Sequence, residues 1–181
     1  MKKKQFLTSM TKVTFVLAVI LMGFAFTGCS KDNQDDENTN VVVINGKSRP
    51  ITKAYLVTRK GTYNYLVQLY LSKDEMVSIY GNAEIHNNKT IDLTKNEIRH
   101  EEDYWGVSYD GKKQIYFYTR GNNTKCTKGT MNSNVYIGST EADITVKDME
   151  LIGNEPDFMP YSVSLHFKGK LDVRESEIIS E

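Results

Sequence analysis

The sequence predicts an all-β fold: a single antiparallel β-sandwich or a lipocalin-like β-barrel, with little helix. Three observations carry this. Apolar and polar residues alternate with a period of two from Val41 onward, which gives each strand one packed face and one wet face. Dipeptides that tolerate positive φ, Asn45-Gly46 and Asp110-Gly111, stand between or just after the alternating runs, as tight hairpins require. Helical signals are scarce. Thr94-Lys95-Asn96-Glu97 has the spacing of a capping box, so a short helix or helical turn is expected over Lys95 to Asp103.

Taken in order, the chain starts with a segment that reads as an address. Lys2, Lys3, Lys4 and Lys12 give a basic start, and Val13 to Phe26 is then apolar except for Thr14. Such a start, a short apolar run and small residues before a cleavage point mark a secretory signal peptide, here residues 1–28. The run has 14 residues, against the roughly 20 needed to cross a bilayer. Residues 29–40 follow as a tether. From Ser30 to Asn40 it holds acids, amides, hydroxyls and one lysine but no apolar residue, so nothing offsets the entropy of ordering it. Fully extended, it reaches at most about 36 Å.

The domain proper is expected over 41–174, with a frayed tail at 175–181. Its clearest strand runs from Tyr161 to Leu171, where odd positions are apolar or Gly and even positions polar. In Tyr63 to Leu71 the odd positions face inward, leaving Leu66 and Tyr70 on the opposite side. Further strands are expected at Val41–Ile44, Ile51–Thr58, Met76–Tyr80, Tyr104–Tyr109, Gln114–Arg120, Asn134–Gly138 and Ala142–Val146. Lys73–Tyr80 is ambiguous, because Asp74-Glu75 can open a helix as well as a turn. Lys60-Gly61 and Gly81-Asn82 are weaker turn candidates. Nine or so short strands suit a sandwich or a barrel; periodicity does not give strand pairing, and the sandwich is preferred.

Charge narrows the partners. The chain carries 23 basic and 23 acidic side chains, so cleavage of a segment with four lysines and no acids leaves about −4. Nucleic acid and anionic membrane faces need a basic footprint, and neither is expected as a partner.

Chemical motifs are missing from the domain. It has no Gly-x-Ser-x-Gly elbow, no Ser-x-x-Lys and no phosphate-cradling glycine loop. Asp32, Gln34 and Asp36 alternate as in a calcium loop, but Glu37 stands where Gly is needed and Val43 where Glu is needed. His86, His100 and His166 lack metal-ligand spacing, and His166 reads as a solvated histidine on its strand. Glu101, Glu102 and Asp103 read as a solvated face rather than a glycosidase pair. No catalytic residue, metal or cofactor is expected, and the chain is read as a non-enzyme. Lys125 and Lys128 could activate Cys126, although a lone cysteine without a general base is more simply a passenger.

Aromatic residues are more suggestive. The domain has eleven Tyr and one Trp, with Tyr104, Trp105, Tyr109, Tyr116 and Tyr118 close together. If Ile115, Phe117 and Thr119 face inward, Tyr116 and Tyr118 share the outer face. On the paired strand Trp105, Val107 and Tyr109 share one face, and Tyr104, Gly106 and Ser108 share the other. A Tyr/Trp surface offers flat apolar area with polar tips, a platform for sugar rings or protein partners. Tyr104, Trp105, Tyr116 and Tyr118 are the candidate ligand-binding residues. The structural alternative is that Tyr is simply favoured in strands.

Gly28-Cys29 at the end of the apolar run resembles a bacterial lipoprotein signal, with Phe26 where the family has Leu. The resemblance implies that Cys29 carries a diacylglycerol and an N-acyl chain and becomes the mature N-terminus. If so, Cys126 has no intramolecular partner, and stability must come from the core. The run Lys31-Asp32 with Asp35-Asp36-Glu37 resembles the acidic export stretch of Bacteroidetes surface lipoproteins, interrupted here by Asn33 and Gln34. Together with the all-β body, the chain is similar to the small lipoproteins of unknown function common in Bacteroidetes. This implies an outer-membrane protein anchored in the lipid bilayer through Cys29, at the cell surface or alternatively on the periplasmic face. Its expected role is non-enzymatic binding of a glycan or a protein. The rivals are a lipocalin-like carrier of a small apolar ligand and a structural envelope-interaction protein.

Overall fold

The computed structural model describes residues 39–58, 60–95, 105–112, 115–119, 124–153 and 159–175. All of them belong to one compact unit, Gln34–Glu181. Cys29, most of the tether, Tyr104, His100, Glu101, Glu102, Asp103 and nearly all of the expected helix lie outside the described residues.

Two six-stranded sheets pack together as a β-sandwich, and no closed barrel forms. The first sheet contains β1 (Val41–Ile44), β2 (Lys47–Pro50), β6 (Thr90–Asp92), β9 (Thr124–Tyr136), β10 (Glu141–Gly153) and β11 (Tyr161–Lys170), in the spatial order β2-β1-β11-β10-β9-β6. The second contains β3 (Lys53–Thr58), β4 (Asn64–Tyr70), β5 (Glu75–Asn82), β7 (Gly106–Gly111), β8 (Ile115–Tyr118) and β12 (Asp172–Glu175), in the order β12-β3-β4-β5-β7-β8. All pairings are antiparallel except β12 on β3, which is parallel. The one described helix, α1 (Ala83–His86), links β5 to β6 and contacts β5 and β9. Among the described residues no helix is long and apolar enough to cross a membrane.

Alternation becomes packing directly. Val163, Leu165 and Phe167 of β11 meet Ile144, Val146 and Met149 of β10 on the inner face of the first sheet. Val67 and Leu69 of β4 do the same with Ile79 and Val77 of β5 in the second. Each such fully buried side chain contributes about 1.5–3 kcal/mol relative to exposure. The Asn45-Gly46 turn forms as expected, with φ of 49° and 75° joining β1 to β2. Asp110-Gly111 instead ends β7.

Several elements were not visible in the alternation. β9 and β10 are each 13 residues long, because bulges near Lys147–Leu151 reset the register partway. There Gly129 has φ 123°, and a Cβ on it would meet the Met149 Cα at 2.7 Å, so the strand can continue only with glycine. β2, β6 and β12 are edge strands of three or four residues, too short for alternation to reveal them. Glu175, assigned to the tail, pairs with Thr58 as the end of β12. The ambiguous Lys73–Tyr80 segment resolves as strand β5, preceded by a bend.

Candidate functional site

The outer face of the second sheet is built by register. Across it run Tyr55, Gln68, Ser78, Ser108 and Tyr118, each opposite the next on neighbouring strands. To one side lie Val57, Leu66, Tyr80 and Gly106, and to the other Lys53, Tyr70, Met76 and Asp110. The twelve strands are all used in the two sheets, so no described element forms a third layer over this face.

Its tyrosines form two pairs. Tyr55 and Tyr70 meet edge to face at 5.5 Å, and Tyr80 and Tyr118 at 5.8 Å. The Arg174 guanidinium of β12 sits 3.5 Å over the Tyr55 ring and donates to the Tyr70 hydroxyl at 3.3 Å, bracing the first pair. Between the pairs Ser78, Ser108 and Gly106 are buried, with Ser78 at 1 % and Ser108 at 2 % exposure, and the tyrosines themselves are half-buried. Ser108 donates to Asp110 at 2.5 Å.

Only one of the four expected platform residues lies on this face. Tyr118 is there, opposite Ser108 and against Tyr80. Tyr104 is outside the described residues. Trp105 is 5 % exposed and belongs to the core with Val107 and Tyr109, so it is corrected from a platform residue to a core residue. Tyr116 stacks on Tyr109 at 4.5 Å and packs against the core, away from Tyr118. The reason is a bulge: the register shifts between Tyr109 and Asp110. That extra residue re-aims the side chains on one side of it. Ile115, expected inside, is 66 % exposed for the same reason. The tyrosines that were missed are Tyr55, Tyr70 and Tyr80. Their signal was in the alternation, which put Tyr70 opposite the core-facing positions of its strand.

A second cluster ties the sheets together. Arg49, on edge strand β2, pairs with Glu75 of β5 at 2.5 Å and donates to the Tyr109 hydroxyl at 3.2 Å. That hydroxyl donates in turn to the other Glu75 oxygen at 2.7 Å. The Arg49 hydrogen bond, followed by the one from Tyr109, lowers the Glu75 pKa to about 2. Burial, helped by the Glu75 carboxylate, pushes the Tyr109 phenol up to about 12. Every charge here has a partner, and the cluster works as an inter-sheet strap.

A third polar group is sealed inside. Tyr65 donates to Ser133 at 2.8 Å, and buried His86 accepts the Asn82 N–H at Nδ1 at 2.9 Å. Asn82 caps α1 by accepting from the Glu84 and Ile85 N–H groups. Asn87 then pairs with both backbone groups of Val135 at 2.9 Å, substituting for a strand on that edge of β9.

Cys126 sits in the core at 8 % exposure and donates to the Lys128 carbonyl at 3.1 Å. Burial pushes its thiol up, so the flanking lysines do not activate it. His166 lies half-buried on the outer face of the first sheet, 3.8 Å from Asp143.

Comparison of the chain with protein families, with curated proteins and with solved structures finds no match.

Proposed function

We propose that this protein is a lipid-anchored, non-enzymatic binding module of the cell envelope, whose tyrosine face docks a glycan or a protein. The observation that supports it best is the outer face of the second sheet. Positions that alternation leaves to solvent are filled there by four tyrosines, Leu66 and Met76. Stability alone does not require aromatic side chains on an outward face, whereas recognition uses them repeatedly.

Anchoring rests on the sequence. In this reading Cys29 carries the diacylglycerol and N-acyl chains, and two or more chains hold a protein stably where one does not. The acidic tether favours the cell surface, with the periplasmic face as the alternative. The charge of about −4 after cleavage argues against nucleic acid as a partner. The lipocalin-like carrier has less support, since it needs a closed barrel and the two sheets remain separate.

The test is made on intact cells. A photo-cross-linking residue replaces Ile115, beside Asp110 at the rim of the tyrosine face, and another replaces Thr145 on the opposite outer face. External protease is applied to a parallel sample. Adducts at position 115 but not 145, with the protein cut while a periplasmic control survives, are the expected result. Equal labelling at both positions would remove the face from the proposal. Survival of the protein until lysis, followed by digestion, would move it to the periplasmic side.

A further inference from the structure

The two described arginines are held in different ways. Arg49 pairs with Glu75. Arg174 pairs with no described carboxylate, yet its side chain is fixed in place. Its guanidinium lies 3.5 Å over the Tyr55 ring and donates to the Tyr70 hydroxyl at 3.3 Å. On the neighbouring strand β3, Lys53 stands opposite Tyr70 on the same outward side. It is exposed and likewise forms no ion pair with a described carboxylate.

A guanidinium stacked on a ring points its edge donors sideways, in the fork that matches a carboxylate. The stacking also removes beforehand the side-chain freedom that a ligand would otherwise have to freeze. Charge then limits the size of the anion. Asp172, level with Tyr55 on β12, faces the same way and pairs with neither cation, so the corner carries two positive groups and one negative. That excess of one neutralises a single carboxylate and is far from the basic footprint of a nucleic-acid or anionic-membrane site. The rings set the remaining chemistry. Tyr55 and Tyr70 meet edge to face at 5.5 Å beside the guanidinium, so whatever carries the carboxylate meets flat apolar area and a phenol tip.

We infer that the corner formed by Lys53, Tyr55, Tyr70 and Arg174 binds the carboxylate of an acidic sugar residue. Arg174 takes the carboxylate through two parallel N–H groups, Lys53 adds its charge, and the sugar ring rests against Tyr70. This rests on the reading of the outer face as a binding surface and narrows its glycan to one that contains uronic acid.

Affinity electrophoresis of the full chain, purified in mild detergent, tests it. Native gels contain polygalacturonate, alginate, methyl-esterified polygalacturonate or polyglutamate. The ester keeps the rings without the charge, and polyglutamate keeps the charge without the rings. Retardation by polygalacturonate or alginate, and by neither of the other two, is expected. Arg174→Gln should weaken it about tenfold, and Arg174→Lys should not restore it, because an ammonium lacks the fork. Lys53→Gln, which leaves β12 and its clamp untouched, should weaken it severalfold and is the second variant should Arg174→Gln melt early. His166→Ala on the opposite face should bind as wild type does. Retardation of both glutamine variants equal to wild type overturns the inference. Equal retardation by the ester overturns the need for charge and leaves the face a glycan surface. Retardation by polyglutamate overturns the sugar and points to an acidic peptide. No retardation by either polyuronate overturns the inference too; a protein cross-linked at position 115 would then preserve the face as a binding surface, and the lack of any adduct there would remove that reading as well.

Discussion

The two outer faces of the sandwich obey the same alternation and end with opposite chemistry. On the first sheet the outward positions of the central strands are Ser162, Ser164, His166 and Lys168 on β11, and Asp143 and Thr145 on β10. They are hydroxyls and charges, paired loosely as Asp143 with Lys168 at 3.5 Å. The matching positions of the second sheet are Leu66, Gln68 and Tyr70 on β4, and Met76, Ser78 and Tyr80 on β5. Solvation explains these positions, although Val41 and Val43 of β1 stand beside His166 and Ser164 on the same face. It does not explain the second, where Ser78 and Ser108 are buried and the tyrosines around them half-buried, with no described layer above them. The difference separates a face that only needs to be wet from one whose composition has another cause.

Four substitutions would break or sharpen this contrast. Trp105→Ala should have the largest effect, about 3–5 kcal/mol of lost stability, because it empties a core site between the sheets. Thermal unfolding would show this. A variant that melts like the wild type would return Trp105 to the surface and redraw the second face.

Next comes the strap. Glu75→Gln should cost about 1–2 kcal/mol, the value of a partly exposed, hydrogen-bonded ion pair. The sign with pH follows from a folded pKa of about 2 against the ordinary value of 4.5 for a free glutamate. The carboxylate is favoured in the folded state, so its contribution is complete above about pH 4.5 and disappears as pH falls toward 2. Denaturant titrations should find the gap between wild type and Glu75→Gln closing over that range. A gap that stays constant would show that the charge of Glu75 is not what holds the sheets.

Tyr80→Ala should be milder, about 1 kcal/mol, since it removes one edge-to-face contact from an outer face. Its main effect should be on binding. Loss of several kcal/mol would mean that the tyrosines are structural and that the two outer faces differ less than their composition suggests.

His166→Ala should have the smallest effect, within about 0.5 kcal/mol and with no change in binding. Chemical denaturation is precise enough to see this. A larger loss would make the first outer face more than a solvated surface.

The sequence was legible wherever one strand could be read by itself. Tyr161–Lys170 and Asn64–Tyr70 have the faces their alternation predicts, and Asn45-Gly46 makes the expected hairpin. Tyr70 was already on the outward side. The platform itself was misassembled, because combining Trp105, Tyr116 and Tyr118 assumed that neighbours in sequence share a face. One bulge between Tyr109 and Asp110 and the burial of Trp105 were enough to divide them. The Arg49–Glu75–Tyr109 strap was invisible for a different reason. Its members lie 26 to 60 residues apart and meet only because β2 and β5 belong to facing sheets.

By itself the sequence determined the all-β fold class and the inward and outward residues of strands such as β4 and β11. Those follow from local alternation, since successive side chains on a strand point to opposite sides. Only the tertiary structure decided which strands are neighbours, and therefore that Tyr55, Tyr70, Tyr80 and Tyr118 share one surface. Strand order and register depend on contacts between distant segments, and a single bulged residue can reverse which side chain faces out.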